Sequence, residues 1–274
     1  MMSADLKLLR GDKCAPASGV DPHAQVHSSA RLGNQCKVGP FAVIGPDVVL
    51  GDGCTVHPHA VITGPSVFGI DNEFHPFSCV GGAPQDLRHR GEPTRLEAGD
   101  GNVFREHVTV NRGTVHGGGV TRIGSFNLFM AYCHVAHDCI IGNRVVMANN
   151  ATLAGHVTVQ DHAVFGGMVA VASFLRIGES AMLAAGSMLE RDVPPFAMVG
   201  GNRARLCGVN RVGLRRRGFA PVALRQIKQL IMRLRNESIP VEDIIAEFSG
   251  LPGLTGEATR LLSFLSTAER GLVR

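Results

Sequence analysis

Residues 123–159 read I GSFNLF MAYCHV AHDCII GNRVVM ANNATL AGHVTV, and every six-residue block closes on an aliphatic, Phe or Met side chain. The spacing continues through Phe165, Val171, Ile177, Leu183 and Leu189. It also runs without a miss from Val20 through Val26, Leu32, Val38, Ile44, Leu50, Val56, Ile62, Phe68 and Phe74 to Val80. The phase breaks over GAPQDLRHRGEPTRLE (82–97), resumes at Ala98, Phe104 and Val110, and breaks again at HGGG (116–119). Period six is neither the helical period nor simple strand alternation. It fits a short strand and a turn, repeated, with one large side chain per unit pointing into a central core.

Three such units make a triangular coil of 18 residues. Stacked at the strand spacing of ~4.7–4.9 Å, the 26 anchors form about nine coils and a prism roughly 40 Å long. The expected fold class is therefore an all-β parallel β-helix over residues 20–210, preceded by an N-terminal extension at 1–19 that is expected to be mobile. Four positions after an anchor a small residue recurs, and Cys36, Cys54, Cys133 and Cys139 occupy such places, so they read as packing filler. Glycine directly after an anchor, as at Gly45, Gly51, Gly124, Gly142 and Gly178, reads as a tight-corner residue. After Asn210 the period changes. Leu224, Ile227, Ile231 and Leu234 follow helical spacing behind Pro221, with further helices expected around Ile244–Phe248 and Leu261–Leu265. Residues 211–274 thus form a small α-helical domain that caps the open edge of the last coil.

Composition bounds the partners. Thirteen Phe, one Tyr and no Trp in 274 residues argue against a base-stacking nucleic-acid binder, and abundant aliphatics argue against disorder. Residues 1–210 carry 16 Lys+Arg against 17 Asp+Glu, whereas residues 211–274 carry 11 against 6. The basic tail is where an acidic partner is expected. The seven Cys form no C-x-x-C pair, and MMSADLKLLRGDKC lacks the apolar centre of a signal peptide. Reduced thiols and a cytoplasmic location are expected from this. No apolar run approaches ~18 residues, so no membrane span is expected.

The densest polar stretch contains His134, His137, Asp138, Asn149, Asn150 and His156. An 18-residue coil sets Gly155 over His137 and His156 over Asp138. An imidazole titrating near ~6.5 can take a proton from a hydroxyl, and a neighbouring carboxylate can fix its tautomer. A glycine N–H can receive a developing oxyanion. With no Cys or Ser in the patch, direct attack by an acceptor hydroxyl is simpler than an acyl-enzyme. His23, His57, His59 and His162 read as solvated turn residues. Three histidines could hold zinc, but their spacing differs from that of the carbonic-anhydrase-like solenoids, so no metal is expected.

The repeat resembles the hexapeptide-repeat acyltransferases, whose coils wind left-handed and whose members form trimers with active sites in the clefts between prisms. EPTRLEAGDGN, NRGTVHGGGVTRIG, HVAHDC, GNRVVMANNATLAGHVTV, GGMVAV, RDVPPFAMVGGN and GVNRVGLRRRGF resemble, in order, the acyl-carrier-protein:UDP-N-acetylglucosamine O-acyltransferases that open lipid A synthesis. The resemblance spans residues 20–274. It implies a 3-hydroxyacyl donor on acyl-carrier protein and UDP-N-acetylglucosamine as acceptor. It also implies a homotrimer and no cofactor beyond the carrier's phosphopantetheine. His137 would be the general base, Asp138 its orienting partner and Gly155 the oxyanion donor. His134, His156, Gln85, Asp86 and Arg88 would contact substrate, with Arg88 where the family usually has Lys. Asn210, Arg216 and Arg217 would lie near the nucleotide. Ala185 would limit the acyl groove, where long-chain members carry Gly.

Asn111, the Ala172–Ser173 pair and Val212 depart from the family's usual His, His-Gln and Glu. They leave open a UDP-2-acetamido-3-amino sugar as acceptor. A metal-dependent hydratase and a non-catalytic scaffold are the readings from other classes.

Overall fold

The computed structural model describes residues 19–274. The extension expected over residues 1–19 lies, but for Gly19, outside the described residues. Strands of two to five residues build sheets of 11, 9 and 8 strands, the three faces of a triangular prism. All pairings are parallel except that of the last strand of the first sheet, Arg205–Val209, which turns back on Ala197–Gly200. Successive coils pair 18 residues apart, as in Val146 with Val164 (first sheet), His134 with Thr152 (second) and Ile140 with Thr158 (third).

The anchors point inward. Phe74, Phe104 and Phe129 are fully buried and stack face to face at centroid separations of 5.2 and 5.1 Å. Cys36, Cys54, Cys133 and Cys139 fill the corners, and burial pushes the Cys54, Cys133 and Cys139 thiols up to about 12. An asparagine ladder closes the corner between the third and first sheets. Asn72 Oδ1 accepts from Asn102 N (3.0 Å), Asn102 Oδ1 from Asn127 N (3.0 Å) and Asn127 Oδ1 from Val145 N (2.7 Å).

The corner glycines have a different cause from the one expected. Gly51, Gly124, Gly142 and Gly178 do not take positive φ. Instead the coils approach too closely for a Cβ. One on Gly51 would lie 2.6 Å from Gly69 O, one on Gly124 2.6 Å from Gly142 O, and one on Gly178 would strike the Pro195 backbone. The left-handed conformation falls two residues later, on side-chain-bearing residues such as Phe41, His59, Asp138, Arg144, His156 and His162. Each such residue costs about 1–2 kcal/mol. A hydrogen bond to the preceding coil offsets this: Arg144 N donates to Ser125 O (2.9 Å), His156 N to His137 O (3.0 Å) and His162 N to Asn143 O (2.9 Å). At the first-to-second corner an aromatic ladder runs His23–Phe41–His59–Phe77–His107–Tyr132, all but His23 in that conformation, with neighbouring centroids 4.7–5.7 Å apart. His57, expected in solvent, is 2 % exposed, because His75 stacks on it and Glu73 bonds it.

Both phase breaks are inserts at the corner between the second and third sheets. Cys79 pairs with Thr109, 30 residues on, because residues 83–94 loop out before the strand Arg95–Ala98. Thr109 pairs with His134, 25 residues on, because a second loop with a 3-10 turn at Val115–Gly117 precedes Val120–Ile123.

Helices α1 (Arg211–Arg216), α2 (Pro221–Leu234), α3 (Val241–Ser249) and α4 (Gly256–Ser266) follow. Ile227, Leu230, Ile231, Leu261 and Leu265 bury their shared face. The chain end returns to the last coil: Val273 N donates to Asp192 O (2.9 Å), and buried Asp192 pairs with Arg176 (2.9 Å). Among the described residues no helix is long and apolar enough to cross a membrane.

Asn102→Ala removes the middle rung of the asparagine ladder and leaves buried partners unpaired, a loss of about 2 kcal/mol or more. The urea midpoint is expected to fall at unchanged m-value. An unchanged midpoint would show that the ladder contributes nothing to stability.

Candidate active site

The two inserts lie directly before the coil that carries His137, on the same corner, and they build its surroundings. Valine and isoleucine anchors on either side hold the turn 136–139, and Asp138 occupies its left-handed position. That backbone turns the carboxylate inward beneath the His137 ring. His137 Nδ1 lies 2.8 Å from Asp138 Oδ2. The Thr114 N–H donates to Asp138 Oδ1 (2.8 Å) and the Thr114 hydroxyl to Oδ2 (2.7 Å). Asp138 N donates to Thr121 Oγ1 (2.8 Å). The carboxylate is only 1 % exposed and the His137 side chain 13 %, so the acid is locked while the ring keeps an open edge. His137 Nε2 makes no hydrogen bond among the described residues.

Gly155, one coil on, faces the ring. A Cβ there would lie 2.6 Å from His137 Cε1 and 2.9 Å from Nε2, so only glycine leaves the imidazole in place. Its N–H makes no hydrogen bond among the described residues. His156 meets His137 edge to face at 5.2 Å, its Nε2 is 3.6 Å from Asp138 Oδ2, and its other side stacks on Phe174 at 4.4 Å. Arg270 sits over Phe174 at 5.1 Å. Thr109 Oγ1 lies 2.7 Å from His134 Nδ1. Burial holds the His134 imidazole below its ordinary value, with His137 adding to the effect. Burial does the same to His156, against the opposing pull of Asp138.

The first insert brings Asp86 and Arg88 to this corner. Arg88 Nη2 lies 2.8 Å from Asp86 Oδ2 and Arg88 Nε 3.1 Å from Oδ1. That fork, which a Lys could not form, holds the Asp86 carboxyl well below the usual range. Asp86 lies within electrostatic reach of His137, and Arg88 of Asp138. Gln85 is exposed on the same loop, and Asn111 Nδ2 anchors its start by donating to Ala83 O (2.8 Å).

The other expected residues lie elsewhere. Asn210 caps α1 through Gly213 N (3.1 Å) and donates to Ser180 O (2.9 Å) at the third-to-first corner. Arg217 joins it there, bonded to the Ser180 hydroxyl and paired with Glu179 (3.0 Å), while Arg216 and Val212 are exposed. A groove of about 530 Å³ beside them is lined by His162, Arg176, Glu179, Arg217 and Arg260. Ala185 is exposed at the first-to-second corner. So one chain gathers His134, His137, Asp138, Gly155, His156, Asp86 and Arg88, and holds Asn210, Arg216, Arg217 and Ala185 on its two other edges. The sequence reading missed Thr114, Thr121 and Gly117, whose missing Cβ makes room for the Asp138 carboxylate. The only signal was the HGGG break itself. His137, Asp138 and His156 also have ligand atoms near enough to share a cation, although Asp138 Oδ2 already accepts from Thr114.

Residues 192–273 match a family model described as UDP-N-acetylglucosamine O-acyltransferase, domain 2. Residues 29–64 and 120–155 match the bacterial transferase hexapeptide. An acyl-(acyl-carrier-protein)–UDP-N-acetylglucosamine O-acyltransferase of Alkalilimnicola ehrlichii is 50 % identical over 255 residues, covering 93 % of this chain and 99 % of the relative. The crystal structure of a UDP-N-acetylglucosamine acyltransferase from Bacteroides fragilis superposes with a TM-score of 0.91 at 32 % identity, covering 93 % of this chain and all of that one. One from Acinetobacter baumannii gives 0.90 at 36 % identity, covering 93 % and 99 %. The fold is the left-handed parallel β-helix of these proteins.

The depressed imidazoles of His134 and His156 set a pH dependence. Unfolded, both rings bind a proton near ~6.5, so the unfolded chain holds more protons below that pH, and stability falls as pH drops towards the folded values. His134→Gln is expected to flatten the urea midpoint against pH between about 7 and 5. An unaltered slope would mean the ring is charged inside the fold.

Proposed function

The chain belongs to the family of acyl-(acyl-carrier-protein)–UDP-N-acetylglucosamine O-acyltransferases, and from that membership we propose that it transfers a 3-hydroxyacyl group from acyl-carrier protein to the 3-hydroxyl of UDP-N-acetylglucosamine, the first step of lipid A synthesis, with His137 as general base. One observation carries the assignment of the base: His137 has Nδ1 tied to a buried carboxylate and an unbonded Nε2 close against the side of Gly155 on which a Cβ would stand.

The Asp138 contact keeps the proton on Nδ1 and the lone pair on Nε2. The sugar hydroxyl gives its proton to Nε2 as its oxygen attacks the thioester carbonyl. The oxyanion that forms meets the Gly155 N–H. Collapse breaks the C–S bond, and the imidazolium returns the proton to the departing phosphopantetheine sulfur. Thr114 holds the Asp138 carboxylate in place through both of its oxygens. Asp86, Arg88, His134 and His156 line the approach to this centre. The chain supplies all the acid–base chemistry from its own side chains, and phosphopantetheine enters with the carrier.

Asn210, Arg216 and Arg217 sit on a different edge from His137. A site that uses both sets takes them from two copies, which supports a homotrimer with its clefts between prisms. In that arrangement Ala185 shortens the acyl groove by one methyl group. The basic 211–274 segment steers the acidic carrier, and the enzyme works in the cytoplasm, where acyl-carrier protein is found.

Mass spectrometry of products from a panel of 3-hydroxyacyl-carrier thioesters, offered with UDP-N-acetylglucosamine and with the UDP-2-acetamido-3-amino sugar, is expected to give the 3-O-ester of UDP-N-acetylglucosamine. Product formed only from the 3-amino sugar would overturn the hydroxyl acceptor. His137→Ala is expected to lose at least ~10³-fold in turnover, of the order general-base loss produces, with an unchanged circular dichroism spectrum. Normal turnover in that variant would remove His137 from the reaction. Gly155→Ala displaces the ring and should cost about 10²-fold in kcat; full activity there would show that the ring does not depend on that close approach.

A further inference from the structure

A second cluster of metal-ligating side chains lies away from His137, on the first sheet and two to three coils nearer the N-terminal end. His57, Glu73 and His75 are all buried, with side-chain exposures of 3 %, 9 % and 2 %. His57 Nε2 is 2.8 Å from Glu73 Oε1, and His75 Nε2 is 3.2 Å from the same oxygen. The two imidazoles stack at 4.6 Å with their planes inclined by 20°, so both Nε2 atoms turn towards one carboxylate.

Two features go beyond an ordinary buried ion pair. The His75 Nε2 atom is buried and makes no hydrogen bond, although it faces Glu73. The far side of the same ring, Nδ1, lies 3.4 Å from Glu106 Oε1, and Glu106 is itself held by Arg105 at 3.0 Å. A carboxylate behind a histidine is the arrangement that orients a metal-binding imidazole.

We propose that His57 Nε2, Glu73 Oε1 and His75 Nε2 form a binding site for a divalent transition-metal ion of the zinc class, with Glu106 orienting His75. Ligands at ~2.0–2.2 Å from a tetrahedral ion sit roughly 3.3 Å from one another. The His75–Glu73 separation is already near that value, the 2.8 Å His57–Glu73 contact has to spread slightly, and all three ligand atoms lie within 4.8 Å of one another. Two imidazoles and one carboxylate are the donor set such an ion takes, and a fourth vertex remains for water. The site ties three buried side chains of two successive coils to one centre, and it stands apart from the proposed acyl-transfer chemistry.

The full-length protein, stripped with a chelator and titrated with Co²⁺, is expected to bind one ion per chain with the visible absorption of a tetrahedral site. Zn²⁺ should displace it and raise the melting temperature with concentration. His75→Gln should abolish uptake. Glu106→Gln leaves all three ligands and the fold in place and should weaken binding about 10–100-fold. His137→Ala should bind as the parent does. Stripped protein that takes up neither ion overturns the proposal, as does uptake unchanged in both His75→Gln and Glu106→Gln, or uptake lost only in His137→Ala.

Discussion

Every feature of this molecule answers to one constraint: each coil must lie on the last at the hydrogen-bonding distance of parallel strands, ~4.8 Å, all the way round. The constraint selects one inward anchor per face, because three anchors fill a triangular section. It removes Cβ atoms at Gly51, Gly124, Gly142 and Gly178, where the next coil's backbone occupies the space. It also accepts left-handed residues with full side chains at the corners, since their N–H groups then reach the coil below. The prism has almost no other way to be stable, because its strands are mostly two residues long and none would persist alone.

The same constraint decides where chemistry can occur. Strand positions are fixed by their neighbours, whereas a corner can lengthen without changing the register beyond it. Both inserts use one corner, and the coil after them carries His137 and Asp138 there. Their loops supply what a bare turn cannot: Thr114 clamps the carboxylate, and Asp86 and Arg88 form a charged lip. The scaffold contributes Gly155 and His156 by stacking alone.

Much of this was legible in the sequence. The six-residue spacing carried the fold, the two breaks marked the inserts, and adding 18 to 137 and 138 found Gly155 and His156. What escaped depended on side chains reaching across coils of irregular length. Thr114 meets Asp138 over 24 residues, a separation no repeat encodes. His57 reads as a turn histidine until Glu73 and His75 are set beside it. The glycines were found at the right places for the wrong reason, because a local reading sees φ and not the neighbouring coil.

Stacking in whole rungs has one more effect. The axial offset between the His137 corner and the level at which Arg217 fastens α1 to the prism is counted in coils, as on a notched rod. Gaining or losing a repeat would change that offset by a full notch of ~4.8 Å and by nothing smaller. Evolution therefore has a coarse adjustment in the number of repeats and a fine one in loop and side-chain size. A lineage that keeps its rung count fixed must tune the reach between the two ends through the size of single side chains.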